Sequence, residues 1–140
     1  MAKIILERKK GDMGFDARDE MGHVLQTDTS QENGGDDYGY RPMQLLLAGL
    51  GSCSAIDIML ILKKQRQQVD DFSIEVEGER EKDMTPALWK TAHITFHLKG
   101  NIDPEKAERA VLLSMERYCS VAETLRRGGT VITWETHVSQ

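Results

Sequence analysis

Two cysteines, Cys53 and Cys119, are the side chains in this sequence best suited to covalent chemistry. A thiolate is both a nucleophile and a metal ligand, and its sulfur passes reversibly through a sulfenic acid to a disulfide. The two stand far apart in sequence, which excludes a Cys-x-x-Cys redox loop and leaves no zinc-like ligand spacing. Any partnership between them must be made by the fold. In a reducing cytosol such a pair reads as buried, catalytic or redox-active rather than as a permanent bridge. Their local settings differ. Cys53 lies inside an apolar helical stretch, where a small buried filler is the ordinary role of a cysteine. Asp57, one turn on and on the same face, would raise a thiol pKa there. Cys119 directly precedes a helix start, whose amides favour an anion, and Arg117, Arg126 and Arg127 are near in sequence. Local electrostatics therefore favours Cys119 as the more reactive thiol.

Hydrophobic periodicity predicts the elements that must position these residues. Residues 3–8, 13–18 and 23–27 read as strands, the last two flanking the turn-like Asp19-Glu20-Met21-Gly22. Residues 28–40 are polar, acidic and glycine-containing, hence a loop. Pro42 suits the first turn of a helix that runs to about Gln67. That helix is apolar almost all round for about five turns, the mark of a buried central helix. Ala48, Gly49, Gly51, Ser52 and Ala55 thin its middle, so another backbone can pack closely on it. Period-two alternation over residues 72–77 and 88–98 predicts two half-buried strands, joined as a hairpin through Asp83 and Pro86. Asp103-Pro104-Glu105 is a helix start, with Ala107, Ala110, Val111, Ser114, Met115 and Tyr118 on one stripe. Ser120 to Glu123 fits a capping box for a second short helix that stops at Gly128-Gly129. Residues 130–138 close the chain as a strand. The order β-β-β-α-β-β-α-α-β argues for an α+β fold of antiparallel sheets around the long helix.

The 140 residues suit a single domain spanning residues 1–140. With 39% hydrophobic and 29% charged residues, the chain can build a core without a disulfide scaffold. A net charge of −5 argues against nucleic acid as a partner. The uncharged run from Pro42 stops at Asp57, short of the roughly 20 apolar residues of a bilayer span, and the N-terminal apolar stretch is too short for a signal peptide. A soluble, cytoplasmic protein without a membrane partner is expected.

The run from Arg41 to Cys53, Arg-Pro-Met-Gln-Leu-Leu-Leu-Ala-Gly-Leu-Gly-Ser-Cys, followed by Lys63-Lys64-Gln65-Arg66-Gln67, resembles the OsmC/Ohr family of osmotically inducible and organic hydroperoxide resistance proteins. Tyr118-Cys119-Ser120-Val121 with Leu125-Arg126 resembles that family's second cysteine segment. The resemblance implies the OsmC-like fold on an intertwined homodimer, with the long helices at its centre and the active sites at the interface. It implies a thiol-dependent, peroxiredoxin-like hydroperoxide reductase of oxidative stress, with no cofactor. Cys53 would be the peroxidatic cysteine and Cys119 the resolving one. An external thiol would be the reductant, and organic hydroperoxides or another small apolar molecule the substrate. The family completes its site with an arginine and a glutamate. Arg41 is the first candidate for the arginine and Arg18 the second. The glutamate is expected just after the proline that opens the long helix, where this chain carries Met43 and Gln44. That departure matches a divergent OsmC-like branch. Gln44, Tyr40 and Leu50 are the expected binding residues, the acidic loop with Tyr38 and Tyr40 forming a rim.

The departure keeps a second reading in play, a non-catalytic redox sensor or apolar-ligand binder on the same fold; two inert buried thiols are a third. No metal site is expected. His93 and His97 share a strand face but sit about 13 Å apart along an extended strand, too far to ligate one ion. The loop acids Asp28, Glu32, Asp36 and Asp37 lack calcium-loop spacing and read as solvated.

Overall fold

The computed structural model describes residues 1–140, which divide into two compact units, Met1–Leu46 and Leu47–Gln140. In the first unit, strands β1 (Ile5–Lys10), β2 (Gly14–Arg18) and β3 (Val24–Thr27) form an antiparallel sheet in that order. The β2–β3 turn is held by the Asp19 carboxylate, which accepts from the backbone N–H of Met21 at 3.0 Å and of His23 at 2.8 Å. Gly14 and Asp28 are the only buried residues of this unit, while Ile5, Leu6, Val24 and Leu25 stay 40–56% exposed. The sheet has apolar residues but no core within its own unit.

The acidic loop departs from the solvated loop expected. Asp28 is 3% exposed, and its carboxylate accepts from the backbone N–H of Thr29 at 2.7 Å, Asp36 at 3.0 Å and Tyr38 at 3.1 Å. Burial pushes its carboxyl up, but the three N–H donors and the charge of Arg41 outweigh that and hold it below the ordinary carboxylate range. The loop therefore winds around a buried anion. It returns against β3 through a bridge between Thr27 and Tyr40, so close that a Cβ on Gly39 would lie 2.1 Å from the Gln26 carbonyl oxygen.

Helix α1 (Pro42–Lys64) starts in the first unit and runs into the second. There it joins a sheet of β4 (Gln68–Arg80), β5 (Trp89–Asn101) and β6 (Val131–Ser139). β4 and β5 form the expected antiparallel hairpin, pairing Phe72 with Leu98, Ile74 with Phe96 and Val76 with Ile94. β6 runs parallel to β5, so this sheet is mixed rather than antiparallel throughout. The cause is the crossover through α2 (Pro104–Leu113) and α3 (Ser120–Arg127), which returns the chain to the starting edge of β5. Leu50, Ile58 and Leu62 of α1 share one core with Ile94, Phe96 and Leu98 of β5 and with Val111 and Met115. The thin middle of α1 is used at Gly51, where a Cβ would sit 3.2 Å from Val76 Cγ2.

One face of α1 is not covered by this chain. Ile56 is 62% and Leu60 57% exposed. The helix also exceeds the expected limit for a span: an 18-residue window has mean hydropathy 2.1, long and apolar enough to cross a membrane by length and composition, with 28% of it buried. Asp57 interrupts the uncharged run without offsetting the leucines and isoleucines around it. The packing of Leu50, Ile58 and Leu62 into the core nonetheless makes α1 a core helix of the second unit.

Candidate functional site

Cys53 and Asp57 lie one turn apart on α1, so both project from the same face. The second cysteine is positioned by an irregularity after α2. That helix starts as expected, with Asp103 accepting from the Glu105 N–H at 2.9 Å and Pro104 in the first turn. Ala107, Ala110 and Val111 are buried along its stripe. Residues Ser114–Tyr118 then widen into a π turn, closed by the Cys119 N–H on the Ser114 carbonyl at 2.8 Å. A π turn takes up more backbone per turn than an α-helix, so Tyr118 leaves the predicted stripe and is 51% exposed. Cys119 next turns out of the helical conformation, and its sulfur accepts from the Ala122 N–H at 3.4 Å. The cap of α3 is thus Cys119 itself, not Ser120. Glu123, the expected second half of a capping box, pairs instead with Arg127 at 3.0 Å and Arg126 at 3.6 Å.

The fold brings the two cysteines together. The sulfurs of Cys53 and Cys119 and a carboxylate oxygen of Asp57 all lie within 4.8 Å of one another, and both cysteines are free thiols. Two buried serines surround the cluster. Ser114 donates its hydroxyl to Asp57 Oδ2 at 2.9 Å. Ser54 donates to the Leu50 carbonyl at 2.7 Å, and its oxygen lies 3.5 Å from the Cys119 sulfur. Cys119 is 3% exposed, whereas Cys53 is half-buried. Burial pushes the Cys119 thiol up, ahead of the opposing donors Ser54 and Ala122, and the neighbouring Cys53 adds to the rise. Local helix position favoured Cys119 as the reactive thiolate. Tertiary burial opposes that local effect at Cys119. No comparable burial protects Cys53.

The remaining sequence candidates sit elsewhere. Leu50 is fully buried in the core. In the first unit, Arg18 lies 3.9 Å from Glu7 on the adjacent strand. Arg41 is held more tightly: Nη2 lies 2.5 Å from Asp37 Oδ1, and Nη1 donates to the Gly39 carbonyl at 3.3 Å. Gln44 accepts from the Arg41 backbone N–H at 3.1 Å, which caps the start of α1. Tyr40 and Gln44 line a groove of about 650 Å³ with Leu25, Asp37 and Gly39. The acid that pairs with Arg41 therefore comes from the loop, not from the helix, and the sequence signal for it is the i,i+4 spacing of Asp37 and Arg41. Ser114 was also missed as a site residue, since on a buried stripe it reads as core. His93 and His97 face away from the cysteines, on the exposed sheet surface, at 3.3 Å from Glu135 and 3.8 Å from Glu75 respectively.

A family model described as "OsmC-like protein" matches residues 34–135, a range that holds both cysteines, Asp37, Arg41 and Asp57. The chain belongs to the OsmC-like protein family. Within that family it is 39% identical over 87 residues to Protein YhfA of Escherichia coli K12, a stretch covering 61% of this chain. The chain spans 64% of the length of the curated relatives it matches. A hypothetical protein from Aquifex aeolicus VF5 has a similar crystal structure at 30% identity and a TM-score of 0.82, covering all of this chain and 98% of that one. The organic hydroperoxide resistance protein OhrB of Bacillus subtilis shares the OsmC-like fold at 21% identity and a TM-score of 0.63, with 97% of each chain covered.

Proposed function

We propose that this protein is a cytoplasmic, thiol-dependent peroxidase that reduces organic hydroperoxides through Cys53 and Cys119. The observation that carries the reading is the approach of two free sulfurs from distant segments to within 4.8 Å. The hydroperoxide resistance named for the B. subtilis neighbour supports the substrate class. Cys53 is the attacking residue because it is half-buried, while Cys119 is enclosed and held as a thiol. The Cys53 thiolate attacks one peroxide oxygen and breaks the O–O bond. The alcohol leaves with a proton, and Cys53 becomes a sulfenic acid. Cys119 then attacks that sulfur; a disulfide forms and water leaves. An external dithiol restores both thiols and is itself oxidised. By resemblance to the family, Arg41, paired here with Asp37, is given the role of the family's arginine.

The working unit is a homodimer. Two observations support it: the first unit has no core of its own, and Ile56 and Leu60 leave an apolar stripe of α1 open to solvent. Sedimentation at micromolar concentration should show a dimer, and a stable monomer would refute it. The groove beside Tyr40 favours a second reading, a binder of small apolar ligands whose thiols only report oxidation. Turnover separates the two. Purified protein should consume cumene hydroperoxide repeatedly with dithiothreitol, and Cys53→Ser should abolish that. Undiminished consumption by the variant sinks the mechanism; a single slow oxidation of the unmodified protein supports the binder.

A further inference from the structure

We propose that Cys53, Asp57 and Cys119 form a binding site for one thiophilic divalent cation per chain. The donor set is two sulfurs and one carboxylate oxygen within 4.8 Å of one another. Soft thiolates with a single oxygen suit zinc or cadmium and disfavour the hard cations magnesium and calcium. Around a tetrahedral zinc, sulfur and oxygen ligands sit roughly 3.5–3.8 Å apart. The cluster must therefore contract by about 1 Å to hold the ion. Cys53 and Asp57 present their ligand atoms from successive turns of one helix, and Cys119 presents its sulfur from the cap of another. The sequence shows no zinc pattern because the third ligand comes from a distant segment.

The groups around these ligands are those a metal site needs. Ser114 donates to Asp57 Oδ2 at 2.9 Å, which restrains the carboxylate and leaves it lone pairs for the ion. The Ala122 N–H lies 3.4 Å from the Cys119 sulfur and donates to it; the Ser54 hydroxyl oxygen lies 3.5 Å away and can donate there by turning from the Leu50 carbonyl. Two thiolates and a carboxylate exceed the charge of a divalent cation by one, and these donors partly balance the excess. Three protein ligands leave a fourth coordination position for water, and the half-buried Cys53 gives the cluster a side that solvent reaches. A bound ion and a Cys53–Cys119 disulfide exclude each other, since both use the same sulfur electron pairs. The site requires reduced thiols but not peroxidase activity, so it stands or falls apart from the function proposed above.

Reduced, metal-free protein titrated with cadmium should develop the ultraviolet thiolate-to-cadmium charge-transfer band, saturating at one ion per chain. Zinc should be withdrawn from a chromophoric chelator with the same stoichiometry. Cys53→Ser and Cys119→Ser should each lower the band to roughly half and weaken zinc binding by more than the carboxylate change does. Asp57→Asn should keep the band and weaken zinc binding by at least about tenfold. Protein oxidised to the disulfide should bind neither ion. The proposal is overturned if the reduced protein shows no saturable binding, if Cys53→Ser binds zinc as tightly as the parent, or if Asp57→Asn does. Cys53→Ser and Asp57→Asn alter partly exposed positions, so the test holds even if the buried Cys119→Ser variant does not fold.

Discussion

Ser114, the first residue of the π turn, donates its hydroxyl to Asp57 on α1 at 2.9 Å across 57 positions of sequence. This bond ties the segment that ends in Cys119 to the helix that carries Cys53. Ser114 contributes twice, because its carbonyl also accepts the Cys119 N–H at 2.8 Å. One fully buried serine thus holds both the wide turn and the carboxylate beside the two sulfurs. A hydrogen bond to a charged group inside a protein is stronger than one between neutral groups, which suits a clamp of this kind.

Ser114→Ala removes that clamp. It should lower stability by about 1–3 kcal/mol, the usual cost of deleting a buried hydrogen bond to a charged partner. Urea unfolding of the two proteins measures the difference. Disulfide formation after a stoichiometric dose of hydroperoxide should also slow, because Cys119 is then less well placed. A variant with parental stability and parental rate would show that the bond positions nothing.

The burial of Cys119 sets an order of modification. Under native conditions, iodoacetamide should label Cys53 first and leave Cys119 unlabelled until the protein is denatured, as read by peptide mass spectrometry. Cys119 is 3% exposed and its thiol is pushed above the ordinary range by burial. Labelling of Cys119 ahead of Cys53 would reverse the roles proposed for them.

Asp28 makes the loop over residues 28–40 sensitive to acid. Its folded pKa lies below the ordinary value of 3.8, so the folded loop prefers the carboxylate. That stabilisation is complete above the unfolded value and is lost as pH falls through the folded one. Amide exchange at Thr29, Asp36 and Tyr38 should stay protected at pH 5 and lose protection only as pH falls below 3.8. Asp28→Asn should remove much of that protection at neutral pH, because a side-chain amide offers one acceptor oxygen in place of two. Equal protection in the variant would mean that the backbone alone holds the loop.

Asp37→Asn tests the partner of Arg41. The pair is partly exposed, so its loss should change stability by no more than about 1 kcal/mol. If Asp37 orients the arginine that serves the reacting thiolate, kcat/KM for an organic hydroperoxide should fall by about tenfold, a loss of roughly 1.4 kcal/mol of transition-state stabilisation. Arg41→Ala should fall at least as far. Unchanged kinetics in both variants would remove the pair from the proposed site.

Much of the element order was legible because each element carries its own local signal. Asp103-Pro104-Glu105 announced α2, period-two alternation announced the β4–β5 hairpin, and Pro42 announced α1. The parallel pairing of β6 with β5 was not legible, since β6 alternates in the same way whichever direction its neighbour runs. The cap of α3 was misplaced by one residue because a sulfur took the role that a serine oxygen usually plays. The π turn left no mark on the apolar stripe until Tyr118 fell off it.

By itself the sequence determined an α+β chain with two thiols in motifs of the OsmC-like family. It also determined which turn of which helix carries Cys53 and Asp57, because an i,i+4 spacing fixes a common face wherever the helix goes. Only the tertiary structure decided that Cys119 joins them and that Cys119 is enclosed. Those two facts depend on distances between segments that hydrophobic patterning leaves open. Desolvation is a property of the assembled core, so no reading of nearest neighbours along the chain could show the enclosure of Cys119.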